Sequence, residues 1–141
     1  MKTTAKWICG NQFVIDNNKQ LRLAVTDHET QENIAPSCMD LMMMGFAGCI
    51  TGEFRKMARQ ERIPFEELET EVTIEFIKTK SNKMVLTVNL KTVSGAEPIL
   101  IENCLIGAIN SSMPGILFSH AGIPIEHKVI ATNQVNNPAY F

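Results

Sequence analysis

The chain has no strong charge of either sign, with 13 Lys and Arg against 15 Asp and Glu and a formal charge of −2. There is thus no electrostatic reason to expect nucleic acid or anionic lipid as a partner. It also lacks an apolar run of bilayer length: the longest, Leu41 to Ile50, is about half of the roughly 20 residues a spanning helix needs and reads as a buried helix. Met1 to Cys9 carries Lys2 and Lys6 but not the apolar stretch of about seven residues found in signal peptides, so a cytoplasmic protein is expected. The cysteines Cys9, Cys38, Cys49 and Cys104 form no C-x-x-C pair and have no histidine at zinc-ligand spacing. Structural zinc is not indicated, no cofactor is expected, and reducing cytosol would keep all four as free thiols. No internal repeat or low-complexity segment is visible.

What is present suits one domain over residues 1–141, with 45% hydrophobic residues to fill its core. Phe13 to Ile15 and Leu21 to Val25 are strand-like and separated by Asp16-Asn17-Asn18-Lys19, a hairpin signature. Thr26 to Ala35 is polar and predicts a surface loop. Pro36 opens a helix predicted to run from Ser37 to about Arg62, apolar in its first half and charged from Glu53 onward. Gly45, Gly48 and Gly52 within it each cost about 1 kcal/mol of helix stability and suggest that another backbone passes close by. Glu71 to Lys78 and Met84 to Val93 alternate with period two, placing Val72, Ile74 and Phe76 with Met84, Leu86, Val88 and Leu90 on one face. Ser81-Asn82-Lys83 closes that hairpin. A second core helix is predicted from Pro98 to about Asn110, an interruption at Met113-Pro114-Gly115, and a last strand at Ile123 to Ile130. This order disfavours a Rossmann or barrel topology.

The segment Pro36-Ser37-Cys38-Met39-Asp40-Leu41-Met42-Met43-Met44-Gly45-Phe46-Ala47-Gly48-Cys49 resembles the OsmC/Ohr family signature. In that signature a proline, an acidic residue and a leucine precede an apolar helix that ends in a small residue and cysteine. Arg62 to Val72 also looks like that family's link from the central helix to the next hairpin. The resemblance covers essentially the whole chain. It implies an α+β fold with two antiparallel sheet portions around two core helices, assembled as an intertwined homodimer. It further implies that Cys49 is a peroxide-attacking thiol with Asp40 as the nearest acidic partner. The family's resolving cysteine would fall at Ser111-Ser112-Met113-Pro114, where there is none, and the arginine of its early Gly-Gly-Arg loop is missing from Cys9-Gly10-Asn11-Gln12.

Each candidate has a plainer reading beside the chemical one. Cys49 could be a small buried hydrophobe, and Glu53, one turn on, would oppose a thiolate unless Arg22, or Arg55 or Lys56 of a second copy, supplied a cation. Cys104 reads as core filler. Cys38 precedes Cys49 by about three helical turns, roughly 16 Å, too far for a disulfide in an unbroken helix. Met39, Met42, Met43 and Met44 point around the helix and suit core packing better than soft-metal binding. His28, His120 and His127 show no triad order. Two functions remain. One is a thiol-dependent reductase of apolar hydroperoxides, restored by an external thiol. The other is a noncatalytic homodimer that binds a small apolar ligand above Cys49.

Overall fold

A computed structural model of the chain describes residues 3–10, 12–17, 19–26, 35–77 and 83–132. Of the predicted loop from Thr26 to Ala35, residues 27–34 with His28 lie outside the described residues, as do the turn residues Ser81 and Asn82, Asn11 and the side chain of Cys9, while Thr26 belongs to a strand instead. Two compact units, Met1–Met43 and Met44–Phe141, divide the chain.

The first unit holds an antiparallel sheet of β1 (Thr4–Cys9), β2 (Gln12–Asp16) and β3 (Arg22–Thr26) in sequential order. In the β2–β3 hairpin the side-chain oxygen of Asn17 accepts from the backbone N–H of Lys19 (2.8 Å) and of Leu21 (3.3 Å), and Gln20 takes a positive φ of 73°. Sequence patterning did not assign β1. It pairs through Trp7↔Phe13 and then slips register before Cys9↔Gln12, where Gly10 turns at φ 49°.

The 23-residue helix α1 (Cys38–Gln60) begins in this unit and continues into the second. Its stripe Phe46, Ile50, Phe54 and Ala58, spaced by four, is buried, as a helix with one core face requires. The C-terminus closes in a Schellman arrangement: Arg62 sits in the left-handed region at φ 55°, Arg62 N–H donates to Arg59 O and Ile63 N–H to Ala58 O. Pro64 follows.

The second sheet consists of β4 (Glu67–Ile77), β5 (Lys83–Val93) and β6 (Ile125–Thr132), with β5 central. β4 and β5 pair antiparallel as Val72↔Val88 and Ile74↔Leu86, in the predicted facing. β4 starts four residues earlier than predicted, because Glu67 to Thr70 continue the ladder opposite Leu90 to Val93. β6 lies parallel to β5, so this sheet is mixed rather than purely antiparallel. A parallel neighbour demands a long crossover, supplied by α2 (Pro98–Ser111) and α3 (Met113–His120). Leu86, Val88 and Leu90 of β5 and Ile101, Leu105 and Ala108 of α2 are fully buried. Packing between α1 and α2 is close where Gly107, lacking a Cβ, makes room for the Met57 thioether.

Candidate functional site

The cysteines divide sharply by environment. Cys49 is exposed on α1, whereas Cys104 on α2 is buried and its thiol donates to the carbonyl oxygen of Phe54 at 3.6 Å. Burial pushes the Cys104 thiol up to about 11, and the nearby Glu61 carboxylate adds to the rise. Five helical positions separate Cys49 from Phe54, about 140° around the axis, so Cys104 meets the side of α1 that Cys49 turns away from. Within one chain Cys104 is therefore not placed to capture an oxidised Cys49.

The exposed side of α1 around Cys49 carries Gly45, Gly48 and Gly52, and a Cβ added at any of the three would meet nothing within 4 Å. Among the described residues, none supplies the close backbone that these glycines suggest. Met44, expected in the core, is also outward, at 64% exposure, and Met42 is exposed too. Charge beside the thiol is partly settled: Lys56 Nζ lies 3.3 Å from Glu53, which offsets the carboxylate one turn from Cys49. Arg22, a candidate cation, is engaged with Asp16 at 2.7 Å across the β2–β3 hairpin.

Asp40 stands where the helix starts. Its carboxylate accepts from Ser37 N–H (2.8 Å) and Ser37 Oγ–H (2.7 Å), while Ser37 Oγ accepts from Asp40 N–H (3.0 Å). This is a capping box, with the acidic residue three positions after the cap, and the spacing Ser37-x-x-Asp40 is itself the sequence signal that could have identified it. Along an α-helix nine residues rise about 13 Å, so Asp40 secures the start of the helix that bears Cys49 rather than reaching the thiol along it.

The stretch Ser111 to Pro114, where the resemblance implied a second cysteine, is occupied by a helix cap. Ser112 caps α3: its Oγ accepts from Gly115 N–H (3.1 Å) and donates to Ile109 O (2.9 Å), and the residue is 2% exposed. Gly115 packs so tightly beneath it that a Cβ would run into the Ile109 carbonyl oxygen. Of the histidines, His120 ends α3 exposed, and His127 on β6 lies 3.2 Å from Glu102 on α2.

The fold is α+β, with the cysteine-bearing helix α1 followed by a mixed three-stranded sheet and its α2–α3 crossover. The model of the family described as OsmC-like protein matches residues 29–127, and the chain belongs to that family. Among solved structures, an OsmC-like protein from Mycoplasma pneumoniae is similar at TM-score 0.82 and 12% identity, over 94% of this chain and 96% of that one. OhrB of Bacillus subtilis, an organic hydroperoxide resistance protein, aligns at TM-score 0.64 and 15% identity, over 92% and 96%. An organic hydroperoxide resistance protein from Elizabethkingia anophelis aligns at TM-score 0.68 and 14% identity, over 94% of both chains. No curated protein matches the chain.

Proposed function

We propose that the chain is a thiol-dependent reductase of organic hydroperoxides, with Cys49 as its reactive thiol. The observation that carries this reading is the exposure of Cys49 in the middle of α1, at the position where the family signature ends in cysteine. The Cys49 thiolate attacks the terminal oxygen of an apolar hydroperoxide; the O–O bond breaks, sulfur gains that oxygen as a sulfenic acid, and the other oxygen leaves as an alkoxide that takes a proton. An external thiol then displaces water from the sulfenic acid to form a mixed disulfide, and a second external thiol releases Cys49. Asp40 is a positioning residue that holds the start of α1.

The working unit in this reading is a homodimer. The second copy covers the strip of Gly45, Gly48 and Gly52, where an added Cβ meets nothing within 4 Å among the described residues, and it brings its own Arg55 or Lys56 as a cation near the thiolate. The compartment is the cytoplasm, where Cys38, Cys49 and Cys104 remain free thiols. Among the described residues, no single helix is long and apolar enough to cross a membrane.

The test is intact-mass measurement after one equivalent of cumene hydroperoxide. A gain of one oxygen is expected, abolished by Cys49→Ser and unaffected by Cys104→Ser. No oxygen gain at a large peroxide excess would overturn the reading. The lack of a cysteine in Ser111-Ser112-Met113-Pro114, where the family resemblance implies the second one, would then favour a noncatalytic dimer that binds a small apolar ligand.

A further inference from the structure

The crossover from β5 to β6 leaves a cleft that owes nothing to α1. At the end of α3, Gly122 adopts φ 72°, its N–H donates to Ser119 O, and Ile123 N–H donates to Phe118 O. This reversal carries the chain back past the C-terminal half of α2 and into β6. Between them lies a cavity of about 410 Å³, lined only by residues of α2, α3, β6 and the α3–β6 connection. Its size is within the range of small-molecule sites, about 300–1,000 Å³.

The lining is sorted by polarity. Ile109 is buried, and Ile106, Ile123 and Ile125 are half-buried, forming an apolar floor; Asn110, Ser119 and His127 are exposed at the rim. One of the rim groups is oriented. His127 faces the helix side of the sheet, in register with buried Val88, and its Nε2 lies 3.2 Å from the Glu102 carboxylate. With Nε2 held at Glu102, Nδ1 is the ring nitrogen left to meet a ligand hydroxyl, which can donate or accept. The carboxylate behind the ring works against an anionic ligand.

We propose that this cleft binds a small uncharged molecule with an apolar body and one hydroxyl group, the body on the isoleucine floor and the hydroxyl at the His127–Asn110 rim. The site is separate from Cys49 and does not rest on the peroxidase reading.

Titration of the full chain with p-cresol, toluene and 4-methylbenzoate, followed by ¹H–¹⁵N spectra, tests it. Saturable shifts are expected at Ile106, Asn110, Gly122 and Ile125. One hydrogen bond should make p-cresol bind about 3- to 10-fold more tightly than toluene, with 4-methylbenzoate weaker than p-cresol. His127→Leu should erase the preference for p-cresol while toluene still binds, which shows that the variant is folded. Ile123→Trp should fill the floor and weaken both, and Cys49→Ser should change neither. The absence of saturable shifts up to the solubility limit would overturn the proposal. So would equal affinity for the three probes, or shifts centred on α1 and lost in Cys49→Ser.

Discussion

The contrast between the thiols can be measured by alkylating the native protein with iodoacetamide and following each cysteine-containing peptide by mass spectrometry. Only the thiolate reacts. Burial and Glu61 raise the Cys104 thiol from its ordinary 9.0 to about 11, and two pKa units reduce its ionised fraction about 100-fold. At pH 8 about one Cys104 in a thousand is a thiolate, against about one in ten for a thiol at its ordinary value. The internal reference is the same cysteine in guanidinium. Native Cys104 should react on the order of 100-fold more slowly than denatured Cys104, its smaller ionised fraction and its 5% exposure acting together. Exposed Cys38 and Cys49 should be modified first. The same shift affects stability. The unfolded thiol releases its proton near pH 9 while the folded one holds it to about 11. The stabilisation is therefore complete below pH 9 and lost as pH rises through that interval, so the guanidinium midpoint should fall there, and less so in Cys104→Ala. A native rate for Cys104 within tenfold of its denatured rate would refute the placement of this thiol against Phe54.

Gly48 offers a test whose sign discriminates. A Cβ there meets nothing within 4 Å among the described residues, so in an isolated monomer Gly48→Ala should stabilise α1 by about 1 kcal/mol. If a second copy packs on that strip, Gly48→Leu should instead cost about 1–3 kcal/mol of the assembled state, seen as a shift toward monomer in sedimentation. Asp40→Ala removes the acceptor half of the capping box and should cost about 1 kcal/mol in thermal or chemical unfolding. An unchanged midpoint would show that the box contributes nothing.

Much of the architecture is written in local pattern. Period two in β4 and β5 sets the facing of Val72, Ile74, Leu86 and Val88, because a one-residue slip would turn every apolar side chain to water. Pro98 marks the start of α2, since proline fits the first turn and little else in a helix, whereas Pro36 lies just before the cap Ser37 and outside the first turn of α1; the run from Pro36 to Cys49 carries the family signature. What local pattern could not decide is which side of α1 each residue takes once a single chain has packed. A stretch apolar all round gives no preferred face, so exposed Met42, Met44 and Cys49 look the same in sequence as buried Phe46 and Ile50. The strand partner of β6 was equally silent: only the α2–α3 crossover brings it parallel beside β5, and only that pairing sets His127 against Glu102, 25 residues away. Local periodicity records which residues avoid water, while contacts between distant segments are decided by packing, which determines which thiol is hidden and which is exposed.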